Sequence, residues 1–251
     1  MQRYFVQFSF KGTRYHGWQI QPNALSVQEV VERTFSTLLQ EKIEVTGAGR
    51  TDTGVHASFY VLHFDFDEII DTENLVYRMN SFLPSDIAIH RIWKVPTEAH
   101  ARFSALSRTY QYFITMEKDP FTTDTEYYLR LKPDLVKMNE AAKCLMNYTK
   151  FTSFSRLHSD VKTNQCKILA AEWIMENNRL VFTIKADRFL RNMVRAIVGT
   201  LLDVGKGKTS IEEFRRIIEI HNRGSAGTSA PAHGLYLTHV EYPERYNYQE
   251  T

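Results

Sequence analysis

Ile43-Glu44-Val45-Thr46-Gly47-Ala48-Gly49-Arg50-Thr51-Asp52-Thr53-Gly54-Val55-His56-Ala57-Ser58-Phe59-Tyr60-Val61-Leu62-His63-Phe64-Asp65-Phe66 is the stretch whose reading decides the fold. Its ends read as strands: a short one over Ile43–Gly47, and a longer one over Ser58–Phe66, rich in aromatic and β-branched residues. Upstream, Arg3–Phe10 alternates apolar and polar as a strand does. Leu25–Gln40 then reads as a helix, with Ser26 and Glu29 spaced as a capping box. Downstream, Thr72–Phe82 reads as a helix stopped ahead of Pro84, and Ile87–Val95 as a strand ending at Pro96. Two strands in succession, each flanked by a helix and an outer strand, give β-α-β-β-α-β, the split βαβ pattern.

The remainder repeats that order more loosely. Arg108–Met116 reads as a strand and Asp134–Met146 as a helix. Cys166–Met175 and Arg179–Ala186 form a hairpin joined by Glu176-Asn177-Asn178. Phe189–Val204 reads as a helix, Ser210–Asn222 as an extra helix with a capping box from Ser210 to Glu213, and Leu235–Tyr242 as a closing strand. The expectation is an α+β chain of two tandem split-βαβ (ferredoxin- or RRM-like) halves, with mainly antiparallel sheets flanked by helices. An N-terminal domain, 1–104, would carry the Asp52 loop and a C-terminal domain would follow over 105–251. A cleft between them is where a site is expected. The repeat is one of topology, with no sequence repeat at a fixed period. Phe151–Val161 reads as a mobile loop and Tyr246–Thr251 as a frayed end.

The chain has 251 residues, enough for one or two domains with a core of their own. Its two cysteines, Cys144 and Cys166, form no C-x-x-C pair. That argues against a disulfide framework or zinc knuckle and for a reducing, cytoplasmic setting. Met1 leads straight into a strand without a basic-then-apolar leader, and no run of 18 apolar residues is available to span a membrane. Net charge is only +2, but Arg179, Lys185, Arg188, Arg191, Arg195, Lys206 and Lys208 are opposed locally by Asp187 and Asp203 alone. Such a segment attracts phosphates; a merely solvated basic face is an equally weighted alternative.

Chemistry concentrates between the two central strands. Thr51-Asp52-Thr53-Gly54 makes a good β-turn in which Asp52 would bond its own backbone. The connection runs to about ten residues, though, where a simple hairpin needs two to five. Gly49-Arg50-Thr51-Asp52-Thr53-Gly54-Val55-His56-Ala57 resembles the catalytic motif of the tRNA pseudouridine synthase A family. Further resemblances run in order: Gly12-Thr13-Arg14-Tyr15-His16-Gly17-Trp18-Gln19, His100-Ala101-Arg102-Phe103-Ser104-Ala105 with Arg108-Thr109-Tyr110, Asn192-Met193-Val194-Arg195 with Val198-Gly199-Thr200-Leu201, and Ala230-Pro231-Ala232-His233-Gly234-Leu235. Ser9-Phe10 departs from the family at the strand entry, and Arg188 stands where a small residue is expected.

The resemblance implies an isomerase that converts uridine to pseudouridine on the 3′ side of the tRNA anticodon stem-loop, at tRNA positions 38–40. It implies a homodimer and a reaction needing no cofactor and no metal. Asp52 would be the catalytic carboxylate, Tyr110 would stack on the uracil near C5, and Arg195 would pair with Asp52. Arg50 would enter the duplex and help hold the flipped base, with His56, Arg188 and Arg191 as further RNA or base contacts. These residue types suit the chemistry. Cleaving a glycosidic bond builds oxocarbenium-like charge that a carboxylate stabilises or traps, and the base must first leave its stack.

Alternation puts Tyr110 and Tyr112 on one strand face; local pattern alone favours a core aromatic at Tyr110 over a catalytic one. Arg188, Arg191 and Arg195 fall at i, i+3 and i+7, one helix stripe that Gly199 continues. Gly205-Lys206-Gly207-Lys208-Thr209-Ser210 looks like a phosphate loop but follows a helix and has Leu202 where glycine is required. Ser153 and Ser155 lack a nucleophile-elbow setting. A non-catalytic tandem RNA-binding protein is the competing reading, weakened because Ser58-Phe59-Tyr60-Val61 lacks a basic-Gly-aromatic start. A glycosidic hydrolase would need a second carboxylate near Asp52, and the sequence offers none nearby.

Overall fold

The computed structural model describes residues 1–156 and 163–248. The first elements are β1 (Gln2–Phe10), α1 (Val27–Leu39), β2 (Thr46–Gly47), β3 (His56–Phe66), α2 (Thr72–Phe82) and β4 (Ile87–Val95). Then come β5 (Ser107–Thr115), β6 (Tyr127–Tyr128), α3 (Leu135–Cys144), β7 (Ile168–Glu176), β8 (Arg179–Ala186), α4 (Met193–Gly205), α5 (Ile211–Glu219) and β9 (Leu235–Glu241). Two compact units result: Met1–Leu106 together with Leu237 onward, and Ser107–Tyr236. The fold is α+β, with mainly antiparallel strand pairing and helices beside the strands.

In the first unit β1 lies between β3 and β4, antiparallel to both, with β2 and β9 also beside β3. Central placement explains why Tyr4, Phe5 and Val6 are buried in succession. Helix α1 buries Val27, Val30, Val31, Thr34, Phe35 and Leu38, a single face at helical spacing. Ser26 Oγ caps it by accepting from Glu29 N at 3.2 Å, and Gln40 ends it in a left-handed conformation. Asp71 caps α2 through Asn74 N at 3.1 Å.

The expected strand over Ile43–Gly47 is reduced to Thr46–Gly47. The backbone donors of Ile43 and Val45 go instead to Ser36 Oγ and Glu32 Oε1 of α1, each at 2.9 Å. Ile43 and Val45 still bury their side chains. The pattern therefore reads as a strand although the ladder is absent.

A polar cluster ties the segment after β4 to the sheet. Arg3 and Asp65 face each other across β1 and β3. The guanidinium donates Nε and Nη2 to the two carboxylate oxygens at 2.7 Å each, and Nη1 to Ala99 O at 3.0 Å. His63 Nδ1 accepts from Ala101 N at 3.1 Å, and Tyr242 Oη donates to Ala101 O.

In the second unit β8 pairs with β5 and β7, both antiparallel. The β7–β8 hairpin turns at Asn177, whose φ of 55 suits the left-handed turns that favour asparagine. Two-residue β6 runs parallel to the end of β5, too short to leave a sequence signal. Helix α4 starts at Met193, four residues later than expected, because Asn192 takes φ 65 and Leu190 O accepts from Met193 N in a turn ahead of it. It is buried on nearly all sides, where the sequence suggested a basic stripe along one face.

The first part of the expected mobile loop is anchored. Phe151, Ser153, Phe154 and Ser155 are buried, and Ser153 Oγ donates to Ile217 O at 2.6 Å. Residues 157–162 lie outside the described residues. So do residues 249–251 of the expected frayed end, whereas Tyr246 is buried and accepts from Trp93 Nε1 at 2.9 Å. Cys144 and Cys166 are free and buried. Among the described residues no helix is long and apolar enough to cross a membrane.

Burial first, then the Arg3 guanidinium, pushes His63 from its ordinary 6.5 down to about 4. An unfolded histidine takes up its proton near the ordinary value, so this contribution to stability is present above 6.5 and is lost as pH falls toward 4. Urea midpoints measured from pH 7 to pH 4 are expected to decline less steeply in His63→Gln than in the parent chain. Equal slopes would remove His63 as a source of the acid sensitivity.

Candidate active site

The loop between β2 and β3 carries Arg50 and Asp52, and His56 opens β3. Asp52 is half-buried and Arg50 is exposed. The backbone around Asp52 is held at several points. Asp52 O accepts from Val55 N at 3.1 Å, closing a turn over 52–55, one residue later than the 51–54 turn read from the sequence. Gly54 supplies a φ of +78, which a non-glycine residue adopts only with strain. Gly54 N donates to Tyr15 O, and Thr51 O accepts from Trp18 N, both at 3.3 Å. Tyr60 Oη donates to Gly49 O, and Trp18 packs on Tyr60 with ring centroids 4.6 Å apart. Thr51 Oγ1, next to the carboxylate in sequence, is buried without a hydrogen-bond partner among the described residues.

His56 has a different setting from a surface contact. It is 1% exposed, and its Nδ1 accepts from Gly12 N at 2.9 Å. The ring therefore carries its proton on Nε2 and joins the loop to the segment after β1.

The other site candidates sit in the second unit. Tyr110, on β5, is half-exposed and meets Phe189 edge-on at 5.1 Å. Tyr112, two residues on, is fully buried and donates its hydroxyl to Pro231 O at 2.8 Å; burial pushes that hydroxyl well above the usual tyrosine range. Alternation alone could not tell the half-exposed ring from the core one.

The expected stripe of Arg188, Arg191 and Arg195 does not form. Only Arg195 lies in α4, since the left-handed Asn192 puts Arg188 and Arg191 in the irregular segment before the helix. Arg191 is exposed and its carbonyl accepts from Arg156 N at 3.1 Å. Arg188 N donates to Asp187 Oδ1 at 2.7 Å. Arg195 is fixed along α4: Nε donates to Ala230 O at 2.7 Å, and Arg195 O accepts from Ala230 N at 2.9 Å. Gly199, one turn on, lets the 228–230 segment approach; a side chain there would collide with the Thr228 carbonyl. Asn192 Nδ2 and Arg223 Nη2 both donate to Ser229 Oγ, at 2.7 and 2.9 Å. Ala230, Ser229 and Asn192 are thus parts of the arginine's mounting that residue-type reasoning left without roles.

The basic segment is less available than its sequence suggested. Arg179 is paired with Glu126 at 3.1 Å and Glu176 at 3.2 Å, and lies 4.8 Å above the Phe113 ring. The phosphate-loop lookalike 205–210 links α4 to α5, where Ser210 completes a capping box with Glu213.

A family model described as tRNA pseudouridine synthase matches residues 7–104 and 141–243. A tRNA pseudouridine synthase A of Bacteroides fragilis is 54% identical over 246 residues, covering 97% of this chain and 98% of that protein. One of Bacillus subtilis is 39% identical over 238 residues, covering 93% and 96%. Among solved structures, the RNA-bound CRISPR endoribonuclease Cse3 aligns with a TM-score of 0.22 at 11% identity, covering 83% of this chain and 94% of that one, too weak a likeness to bear on fold or function. The family match covers the Asp52 loop, the Gly12–Gln19 segment and the Arg195 helix, and on these grounds the chain belongs to the tRNA pseudouridine synthase family.

Proposed function

We propose that this chain isomerises uridine to pseudouridine in tRNA, on the 3′ side of the anticodon stem-loop at the family-implied positions 38–40, as a cytoplasmic homodimer and without a cofactor. The observation that carries the reading is Asp52 itself: a half-buried carboxylate on a loop whose backbone is pinned at Thr51, Asp52 and Gly54. Such fixing lowers the reorganisation needed when charge develops on the sugar.

In this reaction the N1–C1′ bond breaks, the uracil turns, and C5 joins C1′. The proton on C5 is released to solvent and N1 gains one, so atoms and charge balance. Asp52 stabilises or traps the electron-poor C1′. Arg195 is assigned as the cation that keeps Asp52 ionised, since an adjacent opposite charge favours the charged carboxylate. The half-exposed Tyr110 ring stacks on the flipped base, recovering part of the few kcal/mol that unstacking costs. Arg50 fills the space that the base leaves, and Arg188 and Arg191 contact the RNA backbone. His56 acts through the loop, which its ring anchors to Gly12.

Asp52→Asn is expected to abolish tritium release from C5-labelled uridine in tRNA and to leave tRNA binding within about threefold, because the amide keeps the side chain's shape. Turnover retained by that variant would take Asp52 out of the mechanism. Tyr110→Phe keeps the ring for stacking but removes the hydroxyl assigned a place near uracil C5, where a proton must leave, and is expected to fold normally yet lose most of its activity; full activity would limit Tyr110 to stacking or packing. For Arg191→Ala, the plot of log affinity for tRNA against log salt should flatten by about 0.7–0.9, the share of one phosphate contact. An unchanged slope would assign Arg191 to solvent.

A further inference from the structure

Asp86 lies in the turn between α2 and β4, where Ile87 N donates to Pro84 O at 3.0 Å. Two hydrogen-bond donors and one cation from one short segment converge on it, and Oδ2 has the ion pair but no hydrogen-bond partner among the described residues. Lys11 N donates to its main-chain carbonyl at 2.8 Å. Tyr15 Oη donates to Oδ1 at 2.6 Å. Arg14 Nε stands 3.2 Å from Oδ2. The Asp86 side chain is 10% exposed and that of Arg14 64%, while Tyr15 is 1% exposed. A nearly buried carboxylate is therefore met from inside by a phenol and covered from outside by a guanidinium. Burial, then Asp86, pushes the Tyr15 hydroxyl above its usual range, so it remains a donor across neutral pH.

The opposite edge of the same segment meets the Asp52 loop. Tyr15 O takes Gly54 N–H and Trp18 N–H reaches Thr51 O, while Gly12 N–H reaches His56 Nδ1. Gly17, at φ +86, lies so close to the Thr51 carbonyl that any side chain would collide with it. Thr51 and Gly54 stand on either side of Asp52 in sequence. One stretch of chain thus grips Asp86 with its side chains and both flanks of Asp52 with its backbone.

We infer that Asp86 is a positioning residue: through Tyr15 it sets where the 11–18 segment lies, and thereby where the Asp52 carboxylate stands. The inference rests on the reading of Asp52 as the catalytic carboxylate. Neither Tyr15 nor Asp86 is assigned any contact with RNA, so their loss acts on geometry alone. A shift of about 1 Å in a catalytic group costs on the order of a hundredfold in rate.

The test uses the whole chain and three variants. Tyr15→Phe deletes one hydroxyl and keeps the ring in the core; Asp86→Asn weakens the acceptor; Ile92→Ala, at a buried position of β4, removes only packing and serves as the reference for stability. Single-turnover rate at saturating enzyme, tRNA affinity and thermal midpoint are measured for each. Tyr15→Phe and Asp86→Asn are expected to slow the rate by about ten- to a hundredfold while affinity stays within about twofold. The double variant should be no slower than the slower single one, since both act on the same hydrogen bond. Ile92→Ala should lower the midpoint at least as far and keep its rate below that midpoint. Parent-like rates in Tyr15→Phe and Asp86→Asn would overturn the inference, as would additive losses in the double variant or an equal loss in Ile92→Ala. Should Asp86→Asn fail to fold, Tyr15→Phe decides alone. An inactive Asp52→Asn beside a fully active Tyr15→Phe sinks only the positioning role, whereas an active Asp52→Asn removes the reading beneath it.

Discussion

Backbone that leaves a sheet must find new partners for its N–H and C=O groups, and this constraint shapes every functional segment of the chain. Residues 43–45 give their donors to Glu32 and Ser36 of α1. The Asp52 loop shares its groups with the segment after β1. The 99–101 segment is held by Arg3, His63 and Tyr242, and the 226–230 segment by α4 and Arg223. In these cases irregular backbone is fixed by side chains or by neighbouring irregular backbone. The outcome is a set of rigid loops, which is what a reaction dependent on the placement of one carboxylate needs.

The sequence was most legible where local chemistry decides. Helix α2 and strands β4 and β8 begin and end at the residues read from it, because Asp71, Pro84, Pro96 and the hairpin asparagines act within a few residues of themselves. It was least legible where a distant partner decides. Helix α4 reads as starting at Phe189, since apolar spacing continues through that region, and nothing in the spacing shows that Asn192 turns left-handed. With the helix starting at Met193, Arg188 and Arg191 lie outside it and no arginine stripe forms. Similarly, a count of positive charge along the chain could not see that Arg179 already has Glu126 and Glu176.

The site divides in the same way. Asp52 and Arg50 were legible because the motif is contiguous and its connection too long for a plain hairpin. His56 belongs to the same motif, yet its ring serves the loop's own framework. Asp86 carried no such signal: an aspartate after Leu-Pro-Ser reads as an ordinary turn residue, and its link to Tyr15, which does stand in the Gly12–Gln19 motif, spans 71 positions.

Strand β9 has a consequence for how the protein comes into being. From Leu237 the chain belongs with Met1–Leu106, and Leu106 N donates to Glu241 O, Trp93 Nε1 to Tyr246 O and Tyr242 Oη to Ala101 O. On a ribosome, which delivers residues in order, the first unit emerges early with that flank uncovered and waits for the whole of Ser107–Tyr236 before its closing strand is made. Contacts of such sequence separation form late and slowly, so the earliest-made part of the molecule is among the last to be completed, and the nascent chain spends most of its synthesis with an open sheet edge to protect.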